Sequence, residues 1–174
     1  MKAAQIREIV ALHTQWRLGQ PDGRKADLRG ADLRQAELPW VDLADADLRG
    51  ADLRGADVSF GILTGANLSD ARMDNTTLLA TNLSGANLSQ VTLTYATVER
   101  AQLSGANLSD ANLHSSNLKE TLLIESNLQR ADLSFTLLNG ADLTNADLRG
   151  ANLVHADMTY AVLAGVKLEG AALE

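Results

Sequence analysis

Every fifth residue from Leu28 to Leu173 is a large aliphatic, and all thirty positions hold: twenty-six are Leu, with Val58, Val98, Met73 and Met158 as the exceptions. Two residues before each lies a small side chain, Ala in twenty of the thirty cases, and the residue between is usually Asp or Asn. A period of five suits neither regular structure. On an α-helix the apolar position would rotate by roughly 140° per repeat and spiral round the rod. On a continuous strand an odd spacing would send successive leucines to opposite faces. Within one repeat, however, Ala66 and Leu68 are two apart, so both can point inward across a short extended piece. The next two residues must then turn the chain. Gly is common there (Gly30, Gly50, Gly65, Gly85, Gly105, Gly140), as are Asp and Asn, which favour turns. The pattern predicts a coil that turns once per repeat with one inward leucine per side.

The number of sides follows from longer repeats. Gly-Ala-Asn-Leu-Ser recurs at Gly65, Gly85 and Gly105, and Leu-Arg-Gly-Ala at Leu28, Leu48 and Leu148, with one further copy at Leu53. Spacings of twenty dominate, which favours four repeats per coil and about seven and a half coils. At ~4.8 Å per coil the rod is about 36 Å long. Spacing alone leaves three repeats per coil open.

The A(D/N)LxG pattern, as in Ala31-Asp32-Leu33 or Ala151-Asn152-Leu153, resembles the pentapeptide-repeat family over residues 26–174. The resemblance implies an all-β, right-handed quadrilateral parallel β-helix. It also implies a function class, because the best understood members bind type II DNA topoisomerases by imitating DNA and protect bacteria from quinolone-like drugs. Those members often carry surface loops or a C-terminal dimerisation helix, and neither is evident in this sequence.

Residues 1–25 lie outside the repeat. Ile6, Ile9, Val10, His13 and Trp16 fall at helical spacing and predict an amphipathic helix over Gln5–Leu18, ended by Gly19 and the turn Pro21-Asp22-Gly23. A solenoid exposes its apolar cross-section at its ends, so this helix is expected to cap Leu28, Leu33, Leu38 and Leu43. Two segments result: a helix cap and turn at 1–25 and a solenoid at 26–174.

With no cysteine, neither disulfides nor thiolate chemistry are available. No apolar run approaches the ~20 residues of a membrane span, and Lys2, Gln5, Arg7 and Glu8 interrupt any signal-peptide core. A cytoplasmic protein without membrane association is expected.

An enzyme needs a nucleophile, base or metal set converging on a cleft. The three histidines are His13, His114 and His155, and the register sets no carboxylate specifically beside either of the last two, which are expected on the surface. A core of Leu and Ala leaves no substrate cavity. No catalytic residues, cofactor or metal are expected. Asp27/Arg29, Asp47/Arg49, Asp52/Arg54 and Asp147/Arg149 flank their leucines as solvated ion pairs. Asn67, Asn87, Asn107 and Asn127 form one column, expected to be an amide ladder that pins coil register.

The solenoid carries ten basic and twenty acidic groups, a net charge of −10. An equal length of B-DNA, with one charge per ~1.7 Å, carries about twenty-one. The rod has half that density, spread over four faces with arginines interleaved. Direct nucleic-acid binding is not expected, since an acidic rod repels phosphates. The leading reading is a non-enzymatic protein-interaction or scaffold rod, and the alternative is a DNA-mimicking binder of DNA gyrase.

Exposed apolar groups supply the candidate partner surface. Leu122 and Ile124 flank the inward Leu123, with Ile62 and Val162 in the column of Leu122, and Trp40 and Phe60 are twenty apart and hence stacked. Phe135 and His155 are stacked in the column of Tyr95. The last coil should expose Met158, Leu163, Leu168 and Leu173 in cross-section, which predicts a homodimer through the C-terminal end.

Overall fold

A computed structural model describes Met1 and residues 3–174; Lys2, within the N-terminal segment, lies outside the described residues. Each repeat contributes one bridging residue, the Asp/Asn position, which pairs in parallel with the residue twenty further on: Asp27 with Asp47, Asp47 with Asn67, and so on to Asn152 with Ala172. Four such columns, beginning at Asp27, Asp32, Glu37 and Asp42, define four faces, so the coil has four sides and not three.

The backbone bookkeeping of one repeat explains its sequence. Leu48 N–H donates to the Asn67 carbonyl of the next coil at 2.7 Å, and Gly50 N–H to Ser69 at 2.9 Å. Asp47 N–H donates back to Ala26 at 3.0 Å, and Ala51 N–H closes the corner on Leu48 at 3.0 Å. That leaves the N–H of the residue after leucine. It finds the side chain two residues earlier: Arg49 N–H meets Asp47 Oδ1 at 3.3 Å, and Ser69 N–H meets Asn67 Oδ1 at 3.1 Å. The central Asp or Asn therefore satisfies the one donor that the ladder leaves over.

Every corner residue from Gly30 to Gly170 has positive φ, between 52° at Ala80 and 73° at Gly170. With the i to i+3 hydrogen bond, this is the signature of a type II turn. Nineteen corners are not glycine, so the sequence signal from glycine understated the demand. None of them is β-branched, the class that tolerates this region least.

The period positions from Leu28 to Leu153 are at most 1% exposed, apart from Leu38. Where a hydroxyl replaces the small Ala, it donates to a backbone carbonyl: Thr76 to Leu53 at 2.8 Å, Thr81 to Val58 at 2.9 Å and Ser116 to Leu113 at 2.6 Å. Inside the coil, the small-residue position thus accepts a hydroxyl with its hydrogen bond supplied.

The helix α1 spans Ala3–Arg17. Its Ile6 joins the core, and Ile9 and Val10 pack against it. The returning chain presses so close that a Cβ at Gly23 would fall 2.1 Å from the Trp16 nitrogen. The cover differs from expectation on one side. Leu28, Leu33 and Leu43 are 1% exposed, but Leu38 stays half-buried, because α1 leaves a groove of about 440 Å³ over Ile6, Leu33, Ala36 and Leu38. At the opposite end Leu163, Leu168 and Leu173 are exposed. Among the described residues no helix is long and apolar enough to cross a membrane.

Candidate interaction surfaces

Because the corners fix each side chain to a column, the surface is a lattice with ~4.8 Å between coils. On the Asp42 face the column reads Asp42, Ile62, Asn82, Gln102, Leu122, Asp142, Val162. Ile62, Leu122 and Val162 are all exposed, but they do not form one patch. Asn82 and Gln102 separate Ile62 from Leu122 by three coils, about 14 Å, and Asp142 separates Leu122 from Val162. Leu122 and Ile124 do share one side. Ile124, expected to be exposed, is half-buried, as are Ser84 and Ser104 in its column, because the position after the inward leucine sits against the corner.

Trp40 and Phe60 stack at the corner entering this face, with ring centroids 4.4 Å apart and planes within 13°. Trp40 remains 71% exposed. Phe60 precedes Ile62 by two residues, so Trp40, Phe60 and Ile62 mark the N-terminal part of the face and Leu122 with Ile124 its middle.

A second aromatic row occupies the corner between the Asp32 and Glu37 faces. Phe135 and His155 lie 4.7 Å apart as the column predicts. His114 was not foreseen there. Its ring fills the gap left by the small corner residue Ser115, meeting Tyr95 edge-on at 6.0 Å and Phe135 at 5.4 Å. The expectation of an unpartnered surface His114 is corrected: it is half-buried, and Nδ1 lies 2.8 Å from Ser134 Oγ, which donates to Asp132 Oδ1 at 2.6 Å. Since Ser134 spends its proton on Asp132, His114 must donate through Nδ1. Burial raises the Asp132 pKa, but hydrogen bonds from Ser134 and Asn152 outweigh it, and the net shift is downward. The serine lies between acid and histidine, so the imidazole donates to Oγ and cannot draw its proton away. This is the reverse of a nucleophile-activating order. Two spacings carried the signal: twenty between His114 and Ser134, and two between Ser134 and Asp132.

Half of the solenoid's twenty carboxylates are held in ion pairs. Arg49 holds Asp47 through Nε at 2.9 Å and Nη2 at 2.7 Å, and the same bidentate clasp joins Asp27–Arg29, Asp32–Arg34, Asp52–Arg54 and Asp147–Arg149. The Arg29 and Arg149 clasps hold Asp27 and Asp147 down at about 2. Arg130 bridges to Asp110 at 2.7 Å and Arg100 to Glu120 at 2.8 Å, each one coil away. Arg17 of α1 reaches Asp42 at 3.4 Å and Asp45 at 3.5 Å. The asparagine column is a ladder: Asn87, Asn107 and Asn127 each donate to the amide oxygen one coil earlier, at 3.3, 3.2 and 3.1 Å. Among the described residues no group of three or more His, Cys, Asp or Glu is placed to hold a metal ion.

A family model for pentapeptide repeats matches in eight copies that together span residues 24–174. Among solved structures the chain is similar to HetL, a pentapeptide repeat protein involved in heterocyst differentiation regulation from the cyanobacterium Nostoc. The two are 27% identical over 100% of this chain and 93% of that one, with a TM-score of 0.42. Rfr23 from the cyanobacterium Cyanothece is 32% identical over 68% of this chain and 64% of its own, with a TM-score of 0.33. A trypsin-treated form of QnrB1, a plasmid-mediated fluoroquinolone resistance protein, is 20% identical over 76% of this chain and 80% of its own, with a TM-score of 0.42. No curated protein matches.

Proposed function

Since this chain belongs to the pentapeptide-repeat family, we propose that it is a non-enzymatic protein-binding rod that works in the cytoplasm. The observation that carries the reading is the contrast between the Asp42 face and the rest of the lattice. Elsewhere ion pairs and amide ladders fill most outward positions, with Leu137 and the corner residues Tyr95 and Phe135 as the exposed apolar exceptions. On the Asp42 face Ile62, Leu122 and Val162 are exposed, and Trp40 stands 71% exposed at its entrance. Large exposed apolar and aromatic side chains on a rigid frame are what a protein partner buries most profitably. Leu122 with Ile124, and Trp40 with Phe60, are the two anchor pairs.

The alternative, a DNA-mimicking binder of DNA gyrase, draws support from the solenoid's net charge of −10. Against it, half of the carboxylates are paired. The exposed ones without an ion pair among the described residues, such as Glu37, Asp70, Glu125 and Asp157, are scattered over faces and corners, whereas a phosphate mimic needs a continuous row of acids that a basic groove can reach. Affinity capture from the source organism separates the readings. A partner retained by the parent and lost with Leu122→Asn/Ile124→Ser or Trp40→Ala/Phe60→Ala supports the rod. Recovery of gyrase subunits that both variants retain supports the mimic. Identical capture profiles for the parent and both variants, without gyrase, would sink both.

A further inference from the structure

His13 is fully buried at the junction of α1 and the first coil. Its Nδ1 accepts the N–H of Ala26 at 3.0 Å, the place a turn carbonyl takes at later corners, as when Ala46 N–H donates to Leu43. An imidazole that accepts at Nδ1 carries its proton on Nε2, which is directed to the Ala44 carbonyl without closing a well-aligned hydrogen bond. The ring also stacks on Trp16, centroids 5.3 Å apart. We propose that α1 is an acid-released lid whose latch is His13, and that protonation of this imidazole undocks the helix and bares the apolar end of the first coil.

A second proton can enter only at Nδ1, where it would face the Ala26 N–H, donor against donor, and bring a charge into the apolar interface of Ile6, Leu28 and Leu43. The charged groups around the ring do not prevent this. Asp42 and Asp45 of the first coil and the Ala44 carbonyl favour the cation. Both carboxylates, however, are engaged by Arg17 of α1, itself a disfavouring charge, and the carbonyl faces a proton that the neutral ring already carries. Lys25, on the entry segment, sits 5.9 Å from the Trp16 ring. Burial is the largest influence and keeps the His13 pKa below its ordinary 6.5. The sign follows from that. The docked state binds fewer protons than the released state, so docking is favoured above pH 6.5 and weakens as pH falls below it.

The stack on Trp16 supplies the readout. In a Trp40→Phe background Trp16 is the remaining tryptophan, and its emission is followed from pH 8 to pH 4.5 at low micromolar concentration. The expected result is a transition beginning below pH 6.5, with loss of helical but not β circular dichroism and gain of an apolar dye. His13→Gln keeps an acceptor for Ala26 that does not titrate, and it abolishes the transition. Should that variant already be undocked at neutral pH, proton NMR of the parent decides: loss of Ala26 amide protection must track the His13 ring titration. A flat Trp16 signal, a transition unchanged in His13→Gln, or Ala26 protection that outlasts His13 protonation would each overturn the proposal.

Discussion

Asn107 Nδ2 donates to Asn87 Oδ1 at 3.2 Å, and the same oxygen accepts the backbone N–H of Ser89 at 3.2 Å. One atom therefore closes the turn within its own repeat and ties that repeat to the next coil. The central position of the repeat is thus a structural acceptor first and a surface group second. Asn87→Ala removes both bonds and the donation of Asn87 to Asn67, and leaves the Ser89 N–H and the Asn107 amide without their acceptor, at about 1–3 kcal/mol for each buried group. Asn87→Asp keeps the turn acceptor and loses only its own donation to Asn67. The expected order of urea midpoints is parent, then Asn87→Asp, then Asn87→Ala. An alanine variant as stable as the parent would remove this explanation of the motif.

The corners give a prediction of opposite sign. Ala80 sits at φ 52°, where an L-residue is strained by roughly 1–2 kcal/mol. Ala80→Gly relieves this strain and loses little in exchange, so thermal unfolding should move upward. Ser115→Val, at φ 57°, places a β-branched residue in the same region and should move it downward. If both substitutions shift stability the same way, the corner conformation is not what selects these residues.

Much of this was legible in the sequence. The inward Leu68 and Ala66, the stacking of Trp40 on Phe60 and the asparagine ladder follow from the periods of five and twenty, because a solenoid converts spacing directly into position. The α1 stripe was legible too, with ends two residues and one residue from those observed. What spacing could not give was side-chain reach. His114 leans out of its own column to fill the space above Ser115, and Arg17 crosses from α1 to Asp42 and Asp45. Leu38 stays half-buried because a single helix is narrower than a four-sided coil. The failure of Ile62, Leu122 and Val162 to merge follows from the polar residues between them, visible in the sequence once the column is written out.

Asp147 carries a pH dependence that can be worked out. Its carboxylate accepts Arg149 Nε at 2.9 Å and Nη2 at 2.6 Å and the Arg149 backbone N–H at 3.2 Å, which holds its pKa at about 2 against the opposing effect of burial. Gln129 Nε2 donates to it as well at 3.0 Å. A folded pKa below the ordinary 3.8 means that its contribution is complete above that value and is lost as pH falls toward 2. The contribution is about 1 kcal/mol, because solvent screens the half-exposed Arg149. Asp147→Asn should be less stable than the parent at pH 6, with the gap closing by pH 2. A gap that stays constant with pH would mean that the clasp contributes through packing alone.

The last coil offers a surface of a different kind. Leu138, Leu143 and Leu148 donate their N–H to the carbonyls of Asp157, Val162 and Lys167 at 2.8, 2.9 and 2.9 Å. The equivalent donors one coil on, Met158, Leu163 and Leu168, have no backbone acceptor among the described residues. Beside them Leu163, Leu168 and Leu173 are 43%, 37% and 53% exposed, against 1% at Leu153. An apolar cross-section rimmed by unpaired backbone groups is a template for pairing unless charge or proline blocks it, and only Lys167, Glu169 and Glu174 supply charge there. A second copy meeting it end to end would bury both cross-sections about one two-fold axis, the commonest symmetry of closed oligomers. We predict a dimer by sedimentation equilibrium that Leu168→Lys/Leu173→Lys converts to a folded monomer. Lysine can carry its charge to the rim, so the inner coils should keep their stability. A parent that stays monomeric at high micromolar concentration would show that Lys167 and the two glutamates are sufficient protection.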